Sequence, residues 1–128
     1  RNAGAELYGA ALRTPLMRRH GVRAAELALA ELGVPYALDF GPPPESFYCS
    51  SLIEWAYQSA SGSAQIFVDS SFPLIFVPRD FWSDYYGQMN LTLPPPNTTG
   101  SNPTLLLHSP HVRFHRLPLP PPSSPPLR

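Results

Sequence analysis

Proline clusters set the strongest limits on what this sequence can fold into. The chain of 128 residues contains 18 prolines, with runs at residues 42–44, at residues 94–96 and from Pro118 onward. Proline lacks a backbone N–H and its ring clashes with the preceding turn of a helix, so regular structure stops at such runs. We therefore expect helices and strands only between the runs, and a disordered or polyproline tail after Pro118.

The first segment between the proline runs has helical character. Residues 5–33 are rich in Ala, Leu and Glu, which favour a helix. Pro15 and Gly21 interrupt the segment. We therefore expect either two helices, over about 5–14 and 16–32, or one kinked helix.

A second helix is predicted to begin near Cys49 and to run to about Ser61. Ser51 and Glu54 have the spacing of a capping box, which supports a start close to the cysteine. Gly62 follows the last residue of the helical pattern and is expected to end the helix.

The remaining segments give shorter elements. Residues 36–40 alternate between apolar and polar side chains and predict a short extended stretch. The apolar runs at residues 66–68 and 74–77 fit either strands or buried loop. Residues 78–86 predict a short helix with proline near its first turn, and the chain from Leu93 onward is expected to be mainly loop.

Length and composition limit the class of protein. The chain is long enough for one modest domain of the α+β class. Its formal net charge is zero, which removes any general argument for binding nucleic acid or an acidic membrane surface. No apolar run approaches the roughly 20 residues that a membrane-spanning helix needs. One cysteine cannot form an internal disulfide, and none of these features predicts a compartment.

Cys49 is the first candidate for a functional residue. It lies where a proline-rich loop changes into the amphipathic helix predicted from residue 49. A thiol at this point lies beside the unpaired N–H groups and the positive end of the helix dipole, which favour the nucleophilic thiolate. The alternative is a buried structural cysteine that behaves as a small apolar side chain.

Several stretches on both sides of the cysteine match one known family in order. They are Gly33-Val34-Pro35-Tyr36-Ala37-Leu38-Asp39-Phe40, Phe47-Tyr48-Cys49-Ser50-Ser51-Leu52-Ile53, Trp55, Tyr57, Pro78-Arg79-Asp80-Phe81, Gly100-Ser101-Asn102-Pro103 and Ser109-Pro110. With them the sequence resembles the permuted papain-like amidases and peptidases of the YiiX/YaeF type, in the NlpC/P60 thiol hydrolase superfamily. The family elements "G-x-P-Y-D-x-x-F" and "Y-C-S-x-L-V" correspond to the first two stretches.

The resemblance implies a fold and a domain organisation. Residues 1–112 would form the C-terminal part of a permuted papain-like (NlpC/P60) fold, with mainly two helices, short strands and irregular loops. The N-terminal strands that carry the family's base histidine would be missing from it. Residues 113–128 would be a proline-rich disordered tail.

The resemblance also implies a cysteine hydrolase, acting as an amidase or peptidase or as a lipid acyl hydrolase or transferase. Cys49 would be the nucleophile that attacks an amide, peptide or lipid-ester carbonyl. The N–H groups near Ser50 would hold the oxyanion, and Tyr48 would line the site. No metal or organic cofactor is expected, and the base histidine would come from outside these residues.

The four histidines of the sequence are weaker candidates. His20 is expected to be a solvated residue in a turn between helical pieces, and His108, His111 and His115 to lie in a loop or short strand near the tail. Two alternatives remain. One of the downstream histidines could serve as the base, as in ordinary papain-like enzymes, or His108 and His111, whose spacing suits a metal, could bind zinc.

A hypothesis of a different class is a non-catalytic binding or scaffold module. It would act through aromatic side chains and through the proline-rich tail, which could bind an SH3 or WW domain as a polyproline helix. Asn90 and Asn97 begin N-glycosylation sequons, which matter only in the secretory pathway. The aromatic side chains are Trp55, Tyr57, Phe81, Trp82, Tyr85 and Tyr86.

Overall fold

A computed structural model describes residues 6–62, 66–67 and 72–118. These residues form an α+β fold, as predicted, with helices, two small antiparallel sheets and connecting loops. In chain order the elements are β1 (Leu7–Leu12), α1 (Pro15–Ala30), α2 (Cys49–Ser61), β2 (Phe72–Pro73), α3 (Arg79–Gln88), β3 (Thr99–Gly100), α4 (Pro103–His108) and β4 (Val112–Leu117). In the part of the chain that the structure describes, no helix is long and apolar enough to cross a membrane.

The first segment folds differently from the prediction of helix over residues 5–14. Leu7–Leu12 form strand β1, which pairs antiparallel with β4 in the register Leu7 to Leu117 and Leu12 to Val112. Local helix propensity is a weak preference, and here the backbone hydrogen bonds to a strand about a hundred residues away override it.

Helix α1 is one continuous helix that passes through Gly21 without a break. Its start follows the capping rules, because the Oγ of Thr14 accepts a hydrogen bond from the N–H of Met17 at 3.2 Å and Pro15 occupies the first turn. Gly33, with a φ of 95°, follows the end of the helix in the left-handed region.

Helices α1 and α2 pack against each other in opposite directions. His20 near the start of α1 contacts the carbonyl of Ala60 near the end of α2. At the other end, Glu31 just after α1 lines the same depression as Cys49. Ala24 in α1 and Ala56 in α2 are each 2% exposed. Such small side chains allow two helix backbones to approach closely.

Helix α2 begins and ends where the sequence predicts. It starts at Cys49 and is closed by Gly62, whose φ is 60°. The cap itself differs from the expected one, because Ser51 is inside the first turn rather than before it. Its Oγ accepts a hydrogen bond from the N–H of Tyr48 at 3.0 Å, and Glu54 takes no part in this cap.

The apolar core lies between the β1–β4 sheet and the helices. The cluster of buried apolar side chains is Leu12, Ile66, Phe67 and Val112. Residues 66–67 are therefore buried loop and not a strand. Partly buried side chains that pack against this cluster are Met17, Tyr57 and Leu106. Strand β4 extends from Val112 to Leu117, so residues 113–117 form a strand and not the disordered tail predicted from the sequence. Residues 119–128 of the predicted tail lie outside the described residues.

The shorter segments give mixed outcomes. The helix predicted over residues 78–86 is confirmed as α3, with Pro78 just before its first residue. The extended stretch predicted at residues 36–40 is wrong beyond Tyr36, which forms an isolated parallel bridge with Phe47, because a turn follows at residues 38–39. The chain after Leu93 contains β3, α4 and β4 where mainly loop was expected.

Gly100 allows β3 to lie directly against the start of α2. A Cβ at this position would lie 2.7 Å from the hydroxyl oxygen of Tyr48 and 3.0 Å from a methyl carbon of Leu74. Contacts this short require the neighbours to move, so no side chain larger than hydrogen fits here without displacing Tyr48.

We predict that Gly100→Ala destabilises the fold by about 1–3 kcal/mol, because the added methyl group overpacks the contact with Tyr48. Gly87→Ala is the matched control. Gly87 is inside α3 with open space around its Cβ position, so alanine there should stabilise by about 0.5–1 kcal/mol through helix propensity. Urea denaturation followed by circular dichroism measures both. Equal stability of the two variants would contradict the close approach of β3 to α2.

Candidate functional site

The candidate site centres on Cys49, the first residue of α2, whose side chain is exposed. Tyr48 before it has an extended backbone, and the helix hydrogen bonds begin when the N–H of Leu52 donates to the carbonyl of Tyr48 at 3.1 Å. The N–H groups of Cys49, Ser50 and Ser51 therefore precede the first helix bond. The structural alternative, a buried cysteine, does not hold, because the thiol is open to solvent.

A depression of about 190 Å³ lies beside the thiol. Its described walls are mainly apolar, and the carboxylate among them is that of Glu31. The lining residues besides Cys49 are Glu31, Val34, Tyr36, Phe47, Tyr48 and Leu52. The depression joins the end of α1, the bridge between Tyr36 and Phe47, and the first turn of α2. A volume of this size can hold a small acyl or side-chain group next to the sulfur.

The first turn of α2 is attached to the segment after β3 by two buried hydrogen bonds. The hydroxyl of Tyr48 accepts from the backbone N–H of Ser101 at 2.6 Å. The Oγ of Ser50 donates to the carbonyl of Ser101 at 3.1 Å. We call this pair of bonds the Ser101 clamp. Because it holds both polar groups of one residue's backbone, it fixes the position of the turn that carries Cys49.

The clamp decides what Ser50 and Tyr48, the two site residues predicted beside Cys49, contribute. The side chain of Ser50 is 2% exposed and points to Ser101, so only its backbone N–H remains a candidate for the oxyanion. Tyr48 is 6% exposed and borders the depression beside the thiol, while its hydroxyl is engaged by Ser101. Its role is to position the turn.

Burial raises the pKa of the Tyr48 hydroxyl above its usual value of 10.0. The hydrogen bond from the N–H of Ser101 lowers this pKa, because it stabilises the charged tyrosinate. Glu54 and Cys49 raise it further, because a negative charge on Tyr48 is unfavourable next to their negative charges. The neutral hydroxyl is thus the form that the folded chain favours.

His20 lies far from the thiol. It is a half-buried residue of α1 rather than a residue of a turn, and its Nδ1 is 3.1 Å from the carbonyl oxygen of Ala60. Ala60 follows Cys49 by eleven positions in the same helix, which corresponds to about 16 Å along the axis. His20 therefore lies at the opposite end of α2 from the candidate nucleophile.

The three downstream histidines have other surroundings. His108 ends α4 and its ring stacks on Phe114 with the centroids 6.4 Å apart. His111 is in the turn before β4, and His115 is an exposed residue of that strand. Across residues 6–62, 66–67 and 72–118, no three His, Cys, Asp or Glu side chains group as metal ligands, and the depression beside Cys49 has no histidine among its described walls.

The aromatic set divides into two parts. Trp55 packs on Phe47 with centroids 5.2 Å apart, and Tyr57 packs on Phe67 at 5.1 Å, so these two belong to the body of the fold. The aromatic residues of α3 instead form a series of edge-to-face contacts around Phe76. Within that series the residues that remain exposed are Phe81 and Tyr85.

A larger cavity, of about 490 Å³, lies on another face of α2 and was not predicted from the sequence. Ser51, Glu54, Trp55 and Gln58 line it, and their spacing of three, four and seven residues places them on one side of a helix. This spacing is the sequence signal that could have located the helix wall of the cavity. The sequence does not show that the face borders a cavity, because the other walls come from the loop at residues 40–43 and the segment at residues 98–101.

Comparison with known proteins gives no relative for this chain: no family model, no curated protein and no solved structure matches it.

We predict that Tyr48→Phe destabilises the fold by about 1–3 kcal/mol, because it leaves the buried N–H of Ser101 without its acceptor. Tyr85→Phe is the matched control, since the Tyr85 side chain is exposed and its hydroxyl should contribute less than about 0.5 kcal/mol. Chemical denaturation of both variants measures the difference. Equal stabilities would show that the bond to Ser101 contributes nothing.

The raised pKa of Tyr48 also predicts a pH dependence. The pKa is higher in the folded than in the unfolded chain, so the stabilisation is complete below pH 10.0 and is lost as the pH rises through the folded value. Tyr86, whose pKa burial also raises, adds to this loss. Between pH 9 and 11, Tyr48→Phe should lose less stability than the native chain. An equally steep loss in both would contradict this assignment.

Proposed function

We propose that this chain carries the nucleophile of a cysteine hydrolase or acyltransferase that acts on an amide, peptide or lipid-ester carbonyl. The observation that supports this most is the position of Cys49, exposed in the first turn of α2 beside an apolar depression. The resemblance of residues 33–40 and 47–53 to the permuted papain-like hydrolases supports the same function.

In the proposed reaction the thiolate of Cys49 attacks the carbonyl carbon. A C–S bond forms and the electron pair of the C=O bond moves to the oxygen. In the proposal, the backbone N–H groups in the first turn of α2, near Ser50, hold that oxyanion. The amine or alkoxide then leaves with the proton that the thiol gave up. Water attacks the thioester in hydrolysis, and an acceptor nucleophile does so in acyl transfer, and the thiol is regenerated.

The proposal requires a base for the thiol proton. None of the four histidines lines the described walls around Cys49, and His20 lies at the far end of α2. The base is therefore proposed to come from outside these 128 residues. General-base catalysis typically contributes about 10²–10⁴-fold, so the chain alone should form an acyl-enzyme slowly and turn over poorly.

The test is acylation of Cys49 by p-nitrophenyl acetate at pH 7, followed by intact-protein mass spectrometry. We expect one acetyl group on the native chain, none on Cys49→Ser, and a rate severalfold above that of the same chain unfolded in urea. The reason is that the folded chain holds the exposed thiol beside the apolar depression, whereas the unfolded chain has no such site. A folded chain that reacts no faster than the unfolded one would contradict the proposed nucleophile.

A second candidate function is a binding module, and the exposed aromatic side chains of α3 favour it. Phe81 is 59% and Tyr85 47% exposed, and large exposed aromatic groups are typical of surfaces that bind a partner. The acylation experiment separates the two functions, because a module that acts through Phe81 and Tyr85 does not need a reactive Cys49.

A further inference from the structure

The cavity of about 490 Å³ is built by three parts of the chain. One wall is the face of α2 that carries Glu54 and Trp55, a second is the loop at residues 40–43, and a third is the segment at residues 98–101. Its volume lies within the range of roughly 300–1,000 Å³ that small-molecule sites in proteins have.

This cavity is separate from the depression beside the thiol. Cys49 and Gln58 are nine residues apart in α2, which is about two and a half helical turns, so their side chains project on opposite sides. Gln58 lines the large cavity and Cys49 lines the small depression. The two cavities therefore open on different sides of α2, and Tyr48 borders both.

Glu54 gives the cavity its charge. The residue is 4% exposed, and its Oε1 accepts one hydrogen bond, from the side-chain amide of Gln58 at 3.1 Å. The two salt bridges found within the described ranges involve other carboxylates, and none of the described cavity walls carries an Arg. A buried carboxylate is unfavourable unless a positive charge compensates it.

A second observation on the same cavity is the side chain of Ser101. It is 4% exposed, and its Oγ is buried without a hydrogen-bond partner among the residues that the structure describes. Its backbone is held by the Ser101 clamp, so the hydroxyl can reach a partner only by rotation about its Cα–Cβ bond. Buried hydroxyls are normally paired, and a polar group in the cavity would supply the missing partner.

Three aromatic side chains also line the cavity. Phe40 and Tyr48 pack edge to face with centroids 4.9 Å apart, and Trp55 lies on the helix wall. Aromatic faces attract organic cations through the negative charge of their π systems. One buried carboxylate and three aromatic side chains, with no basic group among the described walls, form a combination that selects positive charge.

We propose that this cavity binds a small organic ammonium ligand. The ammonium group pairs with the carboxylate of Glu54, its carbon skeleton packs between Trp55 and Phe40, and a polar group of the ligand bonds to the Oγ of Ser101. The proposal does not depend on the function of Cys49.

The probes are phenethylammonium and its neutral analogue 2-phenylethanol, which have nearly the same shape. Binding is followed by the fluorescence of Trp55 in a Trp82→Phe background, since the chain has two tryptophans. We expect the ammonium to bind about tenfold more tightly than the alcohol, a difference of about 1.4 kcal/mol. Glu54→Gln should remove this preference, and Glu45→Gln, which changes an exposed carboxylate, should keep it.

Three results would overturn the proposal. The first is equal affinity for the ammonium and the alcohol in the native chain, which would show an apolar cavity without selection for charge. The second is that neither probe saturates the cavity below about 10 mM, which corresponds to a binding free energy weaker than about 3 kcal/mol. If Glu54→Gln fails to fold, the comparison of the two probes on the native chain still decides. The third is loss of the preference in His108→Ala. His108 lines another pocket, of about 320 Å³ beside Phe67 and Pro110, which Glu54 also borders, so this loss would assign the cation to that pocket instead.

Discussion

The Ser101 clamp is the interaction on which the arrangement of this fold most depends. A helix start is held in place only if something other than its own backbone fixes it, because the first N–H groups lack helix partners. Here Tyr48 and Ser50, on either side of Cys49, both bond to the backbone of Ser101. Both bonds are buried, where a polar contact is costly to break. The clamp therefore joins α2 to the distant segment after β3.

The clamp explains how one helix presents two different surfaces. Cys49 lies between the two clamp residues but points to solvent, so its thiol is held in position without being buried. The side that carries Glu54 and Gln58 faces a large cavity that Ser101 also lines. The exposed thiol supports the proposed acyl chemistry, and the buried carboxylate supports the proposed cation site. The two proposals therefore depend on one helix being fixed correctly.

The sequence predicted those parts of the fold that local rules determine. The start of α2 at Cys49, its end at Gly62 and the helix α3 followed from capping, glycine and proline signals within a few residues. The strand β1 was mistaken for helix, because its partner β4 is about a hundred residues away. Pairing of this kind leaves no local signal when the strand is rich in alanine and leucine.

The same division applies to the candidate site. The position of Cys49 at a helix start was predictable from its flanking residues, but its exposure was not, because the sequence also allowed a buried cysteine. The burial of Tyr48 and Ser50 was not, because their partner Ser101 is more than fifty residues away in the sequence. Glu54 likewise received its role from loops that enclose it. A carboxylate on an amphipathic helix is normally a solvated residue, and only tertiary packing shows this one to be buried.

Hydrogen exchange at the backbone N–H of Ser101 tests the clamp most directly. If the Tyr48 hydroxyl accepts this N–H in a buried contact, the amide should exchange only when the whole domain unfolds, with a protection free energy close to that of global unfolding. In Tyr48→Phe its protection should fall more than that of the β1–β4 amides. An amide of Ser101 that exchanges as fast as an exposed loop residue in the native chain would contradict the clamp and the positions of both surfaces of α2.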